Sequence, residues 1–203
     1  MEKLYPYMHD ALEDKINEEF RRACERNGLE IDAGNFTQLQ TPDAAFVDFY
    51  QEIYPARNNV KSWLDECRQQ VGSQAILLYP KETPGKLAAC CLLEPATAEL
   101  IHGEAEEFVC SAQEKLGIPL ANRMYCNSIA VASQFRGLGI APGLTWIARN
   151  IVRQPQGLIY LSRILEDNHP SMRAAGKTGQ ASTGIYNHVS RKYLWWGIIP
   201  PST

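Results

Sequence analysis

Apolar positions near the N-terminus recur at helical spacing. Met8, Leu12, Ile16, Phe20 and Cys24 fall every fourth residue, with Glu13, Asp14, Glu18, Arg21 and Arg22 off that stripe. This predicts one amphipathic helix over 7–27, stopped by Asn27-Gly28. Residues 29–39 are mixed, with a short strand expected over 36–39. Thr41-Pro42-Asp43 has the order of an N-cap, a proline at the first helical position and an acidic first turn. The helix it opens carries Phe46, Phe49 and Tyr50 and ends before Pro55. A further helix over 59–71 turns Val60, Trp63, Leu64 and Cys67 inward.

From Gln74 the period changes. Residues 74–79 and 86–93 are short apolar runs separated by Pro80-Lys81-Glu82-Thr83-Pro84-Gly85, the pattern of a hairpin with a loose turn. Residues 105–116 have helical character, and 125–132 form a buried strand. Leu144, Ile147, Ala148, Ile151 and Val152 place a helix over 142–154. A strand over 158–165, a short helix over 170–177 and strands over 185–190 and 193–199 follow. Strands alternating with helices in the second half predict a mixed α/β sheet.

The chain has 203 residues, 45% hydrophobic and 21% charged, with a net charge of -3. These values exclude disorder as the main state and suit one domain over 1–203. Within it, residues 1–34 form a helical extension and 35–203 the core. The mild acidity argues against a nucleic-acid partner. There is no apolar run long enough to span a bilayer and no apolar N-terminal core of a secretory signal, so the expected setting is cytoplasmic, without a membrane partner. Six scattered cysteines lack a C-x-x-C pair and are expected to be reduced core residues. Four dispersed histidines give no metal-ligand spacing, and no metal is expected.

The segment Ile129-Ala130-Val131-Ala132-Ser133-Gln134-Phe135-Arg136-Gly137-Leu138-Gly139-Ile140-Ala141 runs a strand into a glycine turn that opens a helix. Two glycines allow a tight turn with exposed amides, and the helix N-terminus adds unpaired donors and positive dipole, a combination suited to a diphosphate. A dinucleotide fingerprint starting at Gly137 fails, because its last glycine would fall on Pro142. Gly176-Lys177-Thr178 imitates the end of a P-loop, but the required first glycine falls on Ser171.

The glycine turn resembles that of the GNAT superfamily of acyl-CoA-dependent N-acyltransferases, whose signature is Gln/Arg-x-x-Gly-x-Gly/Ala. It fits in two registers, Gln134 to Gly139 and Arg136 to Ala141. Asn168-His169-Pro170-Ser171 through Gly179 resembles the family's later asparagine helix. The resemblance covers roughly residues 36–199 and implies a mixed, mostly antiparallel twisted sheet with helices on both faces. The fourth and fifth strands would splay to admit acetyl-CoA or another acyl-CoA as co-substrate. By the same resemblance, the amides of Arg136, Gly137, Leu138, Gly139, Ile140 and Ala141 hold the diphosphate. Ile129 and Val131 pair with the pantetheine, Gln134 belongs to the same loop, and Asn168 and Ser171 stand near the cofactor. The thioester would lie beside residues 127–129, and an amine would attack it directly in a ternary complex.

The resemblance departs at the usual acid: the tyrosine position is Ala175, and Gln180 stands where an aromatic is usual. Ser171 could contact the sulfur. Tyr186 and His188, read as alternate residues of one strand face, offer an acid and a base, against the plainer reading of a half-buried face. Glu94 is expected to be a solvated strand end, and Glu99, Glu104, Glu106 and Glu107 a solvated helix face. Tyr193, Leu194, Trp195 and Trp196 are expected at a sheet edge or homodimer contact. The function implied is transfer of an acetyl group to a small-molecule or protein amine. The alternative is a catalytically silent CoA-binding sensor or partner-binding protein.

Overall fold

The computed structural model describes residues 13–39, 43–55, 58–83 and 85–201. Helices α1 (Glu13–Arg26), α2 (Asp43–Ile53), α3 (Val60–Gln69), α4 (Ala98–Ile101), α5 (Glu104–Leu116), α6 (Ile140–Val152) and α7 (His169–Lys177) accompany strands β1 (Leu29–Asn35), β2 (Gln74–Pro80), β3 (Ala89–Pro95), β4 (Arg123–Val131), β5 (Leu158–Leu165), β6 (Ala181–Asn187) and β7 (Lys192–Ile199). The strand order is β1-β2-β3-β4-β5-β7-β6. The β1–β2, β2–β3, β5–β7 and β6–β7 pairs are antiparallel and β4–β5 is parallel. This is the mixed, mostly antiparallel sheet anticipated.

The described chain forms two compact units. One comprises residues 13–94 and 127–148. Its core gathers Phe46, Phe49 and Tyr50 of α2, Val60, Trp63, Leu64 and Cys67 of α3, and the apolar positions of β2, β3 and β4. On α1, Ile16, Phe20, Ala23 and Cys24 are buried, while Glu18, Arg21, Arg22 and Glu25 pair with one another on the exposed face. Met8, Leu12 and the cap at Thr41-Pro42 lie outside the described residues. The other unit comprises residues 95–126 and 149–201. Its core packs Val109 and Ala112 of α5 against Ile159 and Leu161 of β5 and Leu194, Trp196 and Ile198 of β7.

Several boundaries differ from the sequence expectation. The first strand occupies Leu29–Asn35, because residues 29–35 pair along the whole of β2, and Phe36 instead turns into the core at 1% exposure. α6 begins at Ile140, so Pro142 is its third residue rather than its first; the missing N–H still falls where a helix has no internal acceptor. Ile151 is exposed on that helix. β6 begins at Ala181, just after Gly179 at φ 83, and ends at Asn187, which leaves His188 in the turn to β7. β7 lies between β5 and β6, so its aromatic run is internal to the sheet rather than at an edge, with Leu194 and Trp196 buried. Glu106 is not merely solvated: it receives Arg123 at 2.8 Å on a partly buried surface.

The six cysteines form no disulfide with one another, and five of them are buried. Among the described residues no helix is long and apolar enough to cross a membrane, and no cluster of metal-binding side chains is present.

Candidate functional site

β4 is the axis of the site. Its parallel register with β5 runs from Arg123↔Ile159 to Cys126↔Ser162 and stops there, although β4 continues five residues to Val131. Arg123 O accepts from Ala96 N at 3.1 Å, and Ala132 N donates to Ala88 O at 2.9 Å. The peptide that aims Ala132 N–H at Ala88 turns the Val131 carbonyl the other way, and Arg136 Nε donates to that carbonyl at 3.0 Å.

A single 3₁₀ turn, Ser133–Phe135, leads from β4 into the glycine segment. It consumes two amides: Phe135 N bonds Ala132 O at 2.9 Å and Arg136 N bonds Ser133 O at 3.3 Å. The Arg136 amide is thus not a free donor, which shortens the expected run by one residue. Gly137 and Gly139 then take φ of 78 and 80, values that L side chains resist. The first bond of α6 is Gly143 N to Gly139 O at 3.2 Å. Among the described residues, the amides of Gly137, Leu138, Gly139, Ile140 and Ala141 donate no hydrogen bond. Five successive donors thus meet the positive end of a 13-residue helix. Gln134, Arg136 and Leu138 expose their side chains along the same loop, while Ile140 is buried.

Within the same unit, Asn127 Nδ2 donates to Glu94 Oε1 at 2.7 Å and approaches Cys67 Sγ at 3.3 Å. Glu94 is 7% exposed, so the solvated strand end expected from sequence is instead a buried carboxyl. Burial raises its pKa, partly opposed by the Asn127 hydrogen bond. The Tyr50 phenol, also buried, is pushed well above its ordinary value by desolvation, with Cys90 and Ser128 as neighbours. The sequence signal that could have revealed Glu94 was its place inside the run Ala88-Ala89-Cys90-Cys91-Leu92-Leu93 to Pro95, all apolar but for itself.

The other unit holds the remaining candidates. Asn168 caps α7, its Oδ1 accepting from Ser171 N at 3.2 Å. Ser171 is half-buried and Ala175 is buried on the same helix. Tyr186 donates from its hydroxyl to Glu166 Oε2 at 2.6 Å, and Arg191 holds the same carboxylate. These two bonds lower the Glu166 pKa, and the bond to Glu166 raises that of Tyr186. His188 is exposed in the β6–β7 turn, its ring edge-on to Tyr186 at 4.9 Å. The two rings meet, but not as alternate residues of one strand. Gln180 is buried, accepting from Ser162 Oγ at 3.1 Å and donating to Thr178 Oγ1 at 3.2 Å.

The fold as a whole superposes on solved structures. NAA60 from Arabidopsis thaliana in complex with acetyl-CoA superposes with a TM-score of 0.58 at 12% identity, covering 84% of this chain and 98% of that one. The chain has the GNAT fold. Ard1 from Thermoplasma volcanium gives a TM-score of 0.57 at 12% identity, covering 84% and 97% of the two chains. The ribosomal-protein-S18-alanine N-acetyltransferase from Escherichia coli gives 0.56 at 11%, covering 86% and 96%. No family model and no curated protein sequence matches the chain. In chain order β4, the 133–139 loop and α6 follow one another, the helix pair α4–α5 precedes β4, and α1 precedes β1.

Proposed function

We propose that the chain is an acyl-CoA-dependent N-acyltransferase, transferring an acetyl group from acetyl-CoA to an amine by direct attack in a ternary complex. The carrying observation is the run of five unspent amides, Gly137 to Ala141, at the mouth of α6, continuous with a strand whose pairing to β5 ends at Cys126. The amides bind the diphosphate. The pantetheine arm runs along β4 past Ile129 and Val131, where the Val131 carbonyl already accepts one hydrogen bond from Arg136 Nε. A backbone donor near Asn127–Ile129 polarises the thioester carbonyl, an effect often worth about 3 kcal/mol.

The amine must lose a proton before it attacks. Glu94 is the base this site supports best, since burial raises its pKa and so makes its carboxylate a stronger proton acceptor. The nitrogen lone pair forms the C–N bond, the C–S bond breaks, and CoA leaves as a thiolate that takes up a proton. Ser171 remains a candidate for contact with that sulfur. Tyr186 and His188 are weaker candidates, because the Tyr186 proton is already committed to Glu166. One structural neighbour is a ribosomal-protein-S18-alanine N-acetyltransferase, so protein α-amines stand beside small amines as acceptors to try.

Incubation with acetyl-CoA and a panel of small and peptide amines, reading thiol release and acetylated product by mass, tests the proposal. Turnover above the buffer rate with any acceptor supports it, and none with every acceptor refutes it. Burial of Ala175 at the position of the family's usual acid favours a second reading, a CoA-binding protein without transfer. That reading requires stabilisation of the fold by CoA with no product.

A further inference from the structure

Helix α1 belongs to the same compact unit as the glycine loop, and it packs directly on the first turn of α6. A Cβ placed on Gly143 would stand 2.2 Å from Phe20 Cδ2, so only glycine permits the approach of the Phe20 ring to that backbone. Phe20 itself is 5% exposed. This contact fixes α1 in rotation as well as position, and it thereby fixes the preceding residue, Glu19. A Cβ placed on Gly139 would lie 3.8 Å from Glu19 Cβ and 3.9 Å from its Oε2. The carboxylate therefore stands against the middle of the amide run, and among the described residues no hydrogen bond ties it to a partner. The nearest arginine in sequence to the run, Arg136, is turned to the Val131 carbonyl.

A carboxylate at the positive end of a helix is favourable while the site is empty. The same carboxylate becomes a like charge beside any diphosphate that the amides accept. Repulsion at such a separation is appreciable near a protein surface and is screened by salt. We propose that Glu19 of the N-terminal helix weakens acyl-CoA and CoA binding at the 137–141 amides, setting the affinity of the loop and hastening release of the CoA product.

The inference rests on the reading of the loop as the CoA site, and the experiment separates the two. Titration calorimetry with CoA at low ionic strength is run on the wild type, Glu19→Gln and Glu30→Gln. The last removes the same charge from β1, where Glu30 faces Lys81 at 3.7 Å. Glu19→Gln should bind CoA roughly threefold to tenfold more tightly, with the gain shrinking at high salt and Glu30→Gln unchanged. Equal or weaker binding by Glu19→Gln overturns the inference while leaving the CoA site in place. An equal gain in Glu30→Gln also overturns it, by assigning the effect to net charge alone. Absence of CoA binding by the wild type overturns the site reading itself.

Discussion

Asn127 Nδ2 lies 2.7 Å from Glu94 Oε1 and 3.3 Å from Cys67 Sγ, so a single amide group joins the end of β3, the midpoint of β4 and α3. The amide supplies a neutral donor to a carboxyl that has lost most of its water. It lowers the cost of ionising Glu94 without abolishing it, and the net pKa shift remains upward.

Glu94 should therefore leave two marks on pH behaviour. Its folded-state pKa lies above the ordinary 4.5, so its contribution to stability is full below that value and is lost as pH rises through the folded pKa. Glu94→Gln, neutral throughout, should gain stability relative to wild type between acid and neutral pH, as read by denaturant melts at several pH values. In acetyl transfer, kcat/KM of the wild type should fall on the acid side with a midpoint above 4.5, and Glu94→Gln should lose about 10²- to 10⁴-fold.

The Phe20–Gly143 contact predicts strong non-additivity. Gly143→Ala places a methyl where the Phe20 ring stands and should destabilise the protein by about 1–3 kcal/mol. Phe20→Ala removes a buried ring and should cost about 3–5 kcal/mol alone. In the double variant the methyl no longer meets the ring, so the combined loss should be less than the sum. Chemical denaturation of the four proteins measures the cycle.

Tyr186 should titrate above its ordinary value of 10, since its hydroxyl donates to the Glu166 carboxylate. Ultraviolet difference titration should show this phenol return toward 10 in Glu166→Gln. The lowered pKa of Glu166 gives a stabilising contribution present above its ordinary 4.5 and lost as pH falls through the folded value. The contribution is exposed to solvent and should fade with added salt.

Thiol reactivity should follow burial. Desolvation pushes the Cys24 thiol up to about 11, so alkylation of Cys24 in the native protein at pH 8 should be far slower than in denaturant. Peptide mapping after a timed iodoacetamide pulse reads the difference.

Much of this architecture is legible in local pattern. The stripe Val60, Trp63, Leu64 and Cys67 reports one buried helix face, and all four are buried. The 74–93 hairpin follows from two apolar runs flanking a Pro/Gly-rich turn. The glycine loop is readable because positive φ at Gly137 and Gly139 is a property of one or two residues and needs no distant partner. The misplaced first strand shows the limit. Residues 29–35 alternate Leu29, Ile31 and Ala33 with Glu30 and Asp32, but only Leu29 is buried, and the segment is a strand because its backbone pairs fully with the free edge of β2.

What the sequence alone determined is the order of elements, the two helical core faces around α2 and α3, and a strand–turn–helix unit with amides turned outward. These depend on periodicity, glycine and the helix terminus, all encoded within a few residues. Tertiary structure alone decided that Glu94 is buried against Asn127, that the proton of Tyr186 is held by Glu166, that Arg136 clasps Val131, and that Glu19 stands at the loop. Each of these joins residues distant in the chain or separated by a turn. The energies of burial and charge that govern them depend on what else folding brings within a few ångströms.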